Sequence, residues 1–295
     1  MSICNICPRN CNVDRAVKTG FCSMPDTVKI SRAALHMWEE PCISGEKGSG
    51  TVFFSGCNMK CVFCQNKEIS TGGFGKEITV ERLAQIFLEL QEKGALNINL
   101  VTPTHYTLQI IQAVKLAKSM GLKLPIVYNT SSYEKVETIK LLADTVDIWL
   151  PDFKYTDNAA ASRYSKAADY VEYAKAAIDE MVRQQPQPVF DDEGIMQKGV
   201  IVRHLVLPGQ VQAAKNAVEY LYNKYGDNIF ISIMSQYTPC TDLSDYPEIN
   251  RKITAEEYDE VVDFAVETGV ENGFLQEGES ASESFIPPFN LEGVE

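Results

Sequence analysis

The sequence predicts an α/β fold: a partial, open (β/α)6 TIM-type barrel behind a small cysteine-rich N-terminal extension. Three observations carry that prediction. Between residues 50 and 270, short apolar runs alternate with helical apolar spacing, the pattern of parallel strands joined by covering helices. These units recur every 20–45 residues or so, and about six fit where a closed barrel needs eight. Residues 1–48 hold five of the nine cysteines and little helical periodicity, and Gly45–Gly50 punctuates the chain before the first strand. A doubly wound sheet is the alternative. In either arrangement the chemistry belongs at the C-terminal ends of the strands. The expected organisation is a metal-binding extension (1–48), a barrel (49–279) and a tail (280–295), marked by Pro287-Pro288, packed on the barrel.

The elements follow in order. Thr51–Ser55 is the first strand. Thr79–Lys93 is a helix by the spacing of Val80, Leu83, Ile86, Phe87 and Leu90, with Thr79 as N-cap and Gly94 beyond its end. Asn97–Val101 is a strand, and Tyr106–Met120 a helix closed by Gly121. Leu124–Tyr128, Tyr133–Leu142 and Val146–Leu150 read as strand, helix and strand, and an alanine-rich helix spans 165–185. Asp191–Gly194 is a turn. Gly199–Leu207 is a strand ended by Pro208-Gly209, then come helix Val211–Tyr225, strand Ile229–Met234, helix Ala255–Thr268 and a last short strand, Phe274–Glu277.

The bulk numbers narrow the function. Among 295 residues, 40 Asp and Glu against 27 Lys and Arg give a net charge of -13. Nonspecific nucleic-acid binding needs clustered positive charge and is not expected. No apolar run reaches the roughly 18 residues of a membrane helix. The start, Met-Ser-Ile-Cys-Asn-Ile-Cys, lacks the regions of a signal peptide. A cytoplasmic setting is expected, where nine cysteines point to metal or redox chemistry rather than disulfides.

Cys57-x3-Cys61-x2-Cys64 follows the first strand directly. Thiolates are the natural ligands of iron–sulfur clusters. A four-iron cube needs four ligands and this motif offers three, which leaves one iron for something that is not protein. A zinc site or three unlinked core cysteines are the bland alternatives. A second group, Cys4-x2-Cys7-x3-Cys11-x10-Cys22, is a full set of four. Its spacing suits a structural zinc as well as an iron–sulfur cluster. Cys42 and Cys240 have no partner pattern and read as small apolar fillers. Gly72-Gly73-Phe74-Gly75 lies outside any strand-to-helix turn, so it is no phosphate loop.

The cysteine spacing, with Phe63 before the third cysteine and Gln65-Asn66 after it, resembles the radical S-adenosylmethionine superfamily, in particular the branch of the pyruvate formate-lyase activating enzymes. The resemblance covers roughly 50–277. It implies a [4Fe–4S] cluster on Cys57, Cys61 and Cys64, with S-adenosylmethionine on the open iron. One electron then breaks the sulfur–carbon bond, giving methionine and a 5′-deoxyadenosyl radical that abstracts hydrogen from a substrate. It implies a flavodoxin or ferredoxin-type reductant, and as substrate a glycyl radical enzyme or another peptide, with a small molecule as the alternative. Phe63 would lie against the adenine. Tyr128-Asn129-Thr130-Ser131-Ser132 resembles the family segment near the methionine end, with Asn129 where an acid is usual. Asp152 and Lys154 resemble its Asp-x-Lys motif, and Arg203, in the strand ending Leu207-Pro208-Gly209, its carboxylate-binding arginine. The usual Gly-Gly-Glu after the second strand is missing. Thr102 and Thr104 stand there instead, as candidates for the cofactor's amino group, followed by His105 as proton carrier, substrate contact or structural residue. His204 reads as structural, and Ser235 and Gln236 are further candidates at the strand ends. The rival class is a nonenzymatic iron–sulfur or zinc protein, but a pure electron carrier normally saturates its cluster.

Overall fold

A computed structural model of the chain describes residues 3–276 and 287–295. Its strands are β1 (Val28–His36), β2 (Ser49–Phe54), β3 (Lys76–Ile78), β4 (Ile98–Val101), β5 (Ile126–Thr130), β6 (Ile148–Pro151), β7 (Val189–Phe190), β8 (Met196–Leu205), β9 (Phe230–Met234) and β10 (Gly273–Leu275). They form one sheet, in the order β10-β9-β8-β6-β5-β4-β2-β1-β3, with β7 hairpinned onto β8. From β2 to β10 the neighbours along this order are parallel, whereas β1 and β3 are antiparallel additions beyond β2. β3 and β10 end the sheet without meeting, so the barrel is open. Among the described residues no helix is long and apolar enough to cross a membrane.

The helices are α1 (Pro41–Ser44), α2 (Lys67–Ser70), α3 (Val80–Glu92), α4 (Thr107–Ser119), α5 (Val136–Leu141), α6 (Asn158–Ser165), α7 (Tyr170–Gln184), α8 (Val211–Tyr225) and α9 (Ala255–Thr268). Strand alternation sends successive side chains to opposite faces. Val52, Phe54, Leu100, Tyr128 and Val202 join the helices' core, which includes Leu83, Phe87 and Leu90 of α3. Val127, Ile148, Leu150 and Ile201 face the concave side, where Cys42 and Ile43 of α1 fill the interior. Burial pushes the Cys42 thiol up to about 12, as befits an inert apolar filler.

Most expected elements are present, and the differences have local causes. β1 lies inside the stretch that showed no pattern. A bulge between Ile30 and Arg32 breaks its alternation, and the small pair Ala33-Ala34 follows it. The expected helix 165–185 starts later, at Tyr170, because a separate helix the sequence did not announce, α6, is capped by Asp157, which accepts from the Ala160 amide, and ends at Lys166 in a left-handed conformation (φ 53). β5 runs two residues further than Leu124–Tyr128, so Asn129 and Thr130 belong to the strand itself. Residues 191–194 do form a turn, in which Asp191 accepts from the Glu193 and Ile195 amides. Glu277 and residues 280–286 of the expected tail lie outside the described residues. Residues 287–295 run beside β1, with the Leu291 amide donating to Ser31 and the Ala33 amide to Glu292.

Thr79 caps α3 as expected, accepting from the Arg82 amide at 3.1 Å. α9 starts with a reciprocal box: the Glu257 amide donates to Thr254 Oγ1 and the Thr254 amide to Glu257 Oε2. Thr254→Ala is expected to lower stability by about 1 kcal/mol, with Thr254→Ser close to the parent. Urea midpoints of the three chains check this.

Candidate active site

Parallel strands bring the ends of β2, β4, β5, β6, β8 and β9 to one rim of the sheet. The loop after β2 carries Cys57, Cys61 and Cys64. It is held from several sides: the Lys60 amide donates to Ser165 and the Val62 amide to Tyr164, at the end of α6. Thr241 Oγ1 donates to the Val62 carbonyl at 2.7 Å and Gln65 Nε2 to that of Gln236 at 3.1 Å. The segment after β9 therefore closes over the loop. Phe63 is buried there, edge-on to Tyr237 with ring centroids 5.7 Å apart.

Each thiol has a polar neighbour. The Met59 amide donates to Cys57 Sγ at 3.3 Å, Ser165 Oγ to Cys61 Sγ at 3.0 Å, and Ser70 Oγ lies 3.3 Å from Cys64 Sγ. Burial pushes all three thiols above their ordinary range, repulsion from the neighbouring thiols adds to it at Cys57 and Cys61, and Lys154 opposes it. Buried sulfurs that face one another and accept N–H and O–H bonds suit metal-bound thiolates. Among the described residues no three His, Cys, Asp or Glu side chains stand in single-ion geometry. A cluster does not require that, since each thiolate takes a different iron. The donor set fits an iron–sulfur cluster. Cys240, expected as an apolar filler, is half-buried and close enough to Cys64 to raise it further.

The later strand ends converge on a buried guanidinium. Arg203 Nε donates to Asp152 Oδ1 at 2.8 Å, Nη2 to Asn129 Oδ1 at 2.6 Å and Nη1 to Glu39 Oε2 at 3.2 Å. Lys154 Nζ donates to Asp152 Oδ2 at 2.7 Å. Burial works to raise Asp152, but Arg203 and Lys154 outweigh it and hold the carboxyl below its usual range. Burial likewise opposes the charge on Lys154, and Asp152 and the nearby Cys61 restore it. Asn129, Asp152, Lys154 and Arg203 thus form one network that reaches the cysteine loop through Lys154.

Thr102, Thr104, Thr130 and His105 sit elsewhere on the rim. Thr102 follows β4 with φ +58, a strained state for a β-branched residue. Thr104 and Thr130 are turned to a common partner, each donating to Glu134 Oε1 at 2.6 Å. Burial pushes the Glu134 carboxyl up to about 7 against those hydroxyls. His105 is buried with Nε2 2.7 Å from the Ser55 carbonyl, and burial and Arg15 lower it to about 3. It stays neutral through the physiological range. His204 is similar, with Nδ1 2.6 Å from the Phe153 carbonyl. Among the described residues the buried hydroxyls of Ser132 and Ser235, at the ends of β5 and β9, have no partner and are available to a ligand.

Sequence reasoning missed Glu39, Glu134, Ser70 and Ser165. An acidic pair before a proline, Glu39-Glu40-Pro41, does not announce that it enters the barrel interior. Ser165 stands at the start of the expected helix 165–185, whereas it is the last residue of α6, where it meets Cys61. A cleft of about 630 Å³, lined by Cys42, Lys47, Leu96, Ile195, Phe230 and Phe274, opens at the opposite ends of the strands and has no part in this site.

Comparisons with known proteins bear on the family and the fold. A family model described as the radical SAM superfamily matches residues 51–221. An uncharacterized protein of Methanocaldococcus jannaschii is 31% identical over 271 residues, covering 89% of this chain and 74% of the relative. The fold is similar to that of HydG, a maturase of the [FeFe]-hydrogenase, with a TM-score of 0.53 at 15% identity, covering 78% of this chain and 52% of HydG. It is also similar to Streptococcus suis SuiB bound to its precursor peptide SuiA, with a TM-score of 0.50 at 14% identity, covering 75% of this chain and 46% of SuiB. The chain spans about half the length of these two structures.

Two outcomes follow from the electrostatics. Arg203→Met leaves Asp152 and Glu39 without their shared cation and is expected to cost about 3–5 kcal/mol, measured by denaturant unfolding. Glu134 binds its proton more tightly in the folded chain than in the unfolded one, so its contribution is lost as pH rises from 4.5 through about 7. Glu134→Gln should therefore flatten the fall in stability between pH 5 and pH 8, by about 2–3 kcal/mol. Midpoints measured at both pH values decide it.

Proposed function

Because the chain belongs to the radical S-adenosylmethionine superfamily, we propose that this radical enzyme acts on a peptide or protein, and that its substrate is a backbone glycine of a glycyl radical enzyme. Membership implies a [4Fe–4S] cluster and S-adenosylmethionine. When bound, these supply one-electron cleavage of the cofactor and a carbon radical that abstracts hydrogen. Cys57, Cys61 and Cys64 would hold the cluster, and a flavodoxin or ferredoxin-type reductant in an oxygen-poor cytoplasm suits such chemistry.

The observation that carries the reading is the junction between the cysteine loop and the polar network, made by Lys154. Its ammonium is held by Asp152 and sits near Cys61, where it offsets the negative charge of thiolates. Asp152 in turn orients Arg203, whose planar fork is matched to a carboxylate. Asn129 takes one of its remaining donors. Phe63 and Tyr237 line the loop with apolar surface that excludes water. Thr102 and the unpartnered Ser132 and Ser235 supply polar groups around the rim for the cofactor's amino-acid end. SuiB, whose fold is similar, was solved bound to a precursor peptide, and that supports a peptide or protein as the substrate.

After anaerobic reconstitution and dithionite reduction, the chain should form 5′-deoxyadenosine. Cys61→Ala should reduce the product to background, and Lys154→Met should lower the rate about 10–100-fold. Mixed with a glycyl radical enzyme, the chain should leave a glycine-centred radical visible by EPR. Cofactor cleavage with no protein radical on any such partner would sink the activase reading and leave other peptides or small molecules as substrates.

A further inference from the structure

The segment before β1 carries four cysteines that the site above does not use. Its backbone folds back on itself, with the Cys4 amide donating to Val13 at 2.8 Å and the Asn12 amide to Cys4 at 3.1 Å. Asn10, Asn12 and Ser23 take left-handed conformations that turn the chain next to Cys11 and Cys22. These turns aim backbone amides at sulfur. The Phe21 amide donates to Cys11 Sγ at 3.2 Å, the Arg9 amide to Cys7 and the Met24 amide to Cys22. In two of the three the donor lies two residues beyond the cysteine. A neutral thiol is a weak acceptor, so several N–H groups converging on sulfur are the arrangement a thiolate needs.

The four thiols are also neighbours in space. Cys7 and Cys22 each lie near enough to both Cys4 and Cys11 to feel their charge. No disulfide joins any of them. Their side chains do not stand in single-ion geometry, and binding would draw the sulfurs together by χ1 rotation.

The segment is bolted to the loop of the radical site. Gly56, directly before Cys57, is packed under it: a Cβ there would stand 2.2 Å from Met24 Cγ and 2.8 Å from the Cys22 carbonyl. Arg9 Nε donates to the Asn58 carbonyl at 2.7 Å, and its guanidinium lies 3.8 Å from the centre of the Phe21 ring. Arg15 donates to the Met24 carbonyl at 3.2 Å and to that of His105, whose ring is bonded to the Ser55 carbonyl. Thr138 and Lys135 fix the first turn through the Ile6 and Asn5 carbonyls.

We propose that Cys4, Cys7, Cys11 and Cys22 are the complete ligand set of a second, thiophilic metal centre, zinc or iron–sulfur, docked on the loop that carries Cys57. Four thiolates leave no open position, so this centre binds no substrate. A zinc would make it a structural brace, and an iron–sulfur cluster an electron-carrying one. The proposal rests on this segment's own residues and not on the reaction proposed above.

The test removes the first site. The Cys57→Ala/Cys61→Ala/Cys64→Ala chain is purified anaerobically, reconstituted with zinc or with iron and sulfide, and desalted. Either about one zinc or about four irons with matching sulfide should remain per chain. Adding Cys7→Ser and Cys22→Ser should cut that content at least fivefold. Because those changes can impair folding, the parent chain is also alkylated and mapped by mass. The four thiols should be protected until a chelator strips the metal. Less than a fifth of an equivalent of metal, equal alkylation before and after chelation, or disulfides among the four would each overturn the proposal. None of these results bears on whether the parent chain forms 5′-deoxyadenosine.

Discussion

The concave face of this open sheet contains a guanidinium that is almost sealed from water, and the arrangement of the rim depends on it. Arg203 has a rigid fork of donors and no way to shed its charge. Stripped of water, it requires oxygen acceptors on every side. Asp152 comes from the end of β6, Asn129 from β5, and Glu39 from the turn that enters the interior before α1. Three separate parts of the chain are thereby set against one planar group. Such a network is worth little as a pair count, but removing any one charge strands the rest. That asymmetry makes it a positioning device: strand ends that were only parallel become strand ends in a defined relation.

Lys154 extends the relation to the cysteine loop. It shares Asp152 with Arg203 and lies near Cys61. The loop is then gripped from the other sides, by the end of α6, by the segment after β9 and by the cysteine-rich segment that meets Gly56. Loops are ordinarily the mobile part of an α/β protein. Here one loop is tied at Gly56, Asn58, Lys60, Val62 and Gln65, which is what holding three sulfurs in a fixed relation asks of it.

Much of this was legible in the sequence because its signals are local. α8 and α9 begin and end where their apolar spacing and caps say, and Cys57, Cys61 and Cys64 are a pattern of eight consecutive residues. What was not legible depends on distance along the chain. β1 hides because a bulge interrupts its alternation and alanines replace its large apolar residues. Glu39 meets a residue 164 positions later, and Thr104 meets Glu134 thirty positions on. Thr130 is a ligand candidate through the resemblance of residues 128–132, and the Glu134 partner of its hydroxyl, within the extended β5, was not legible there. Periodicity reports which face a residue takes, not which buried partner waits there.

The central claim is that the three thiols and the rim network together form one cofactor site, with one cluster position left for S-adenosylmethionine. EPR of the dithionite-reduced, reconstituted chain tests it most directly, with spectra recorded before and after adding the cofactor. The account predicts a [4Fe–4S] signal whose g-values move when S-adenosylmethionine is added, and whose responsive component is missing from Cys61→Ala. A reduced cluster signal that is identical with and without the cofactor, or a responsive signal that survives in Cys61→Ala, would contradict it.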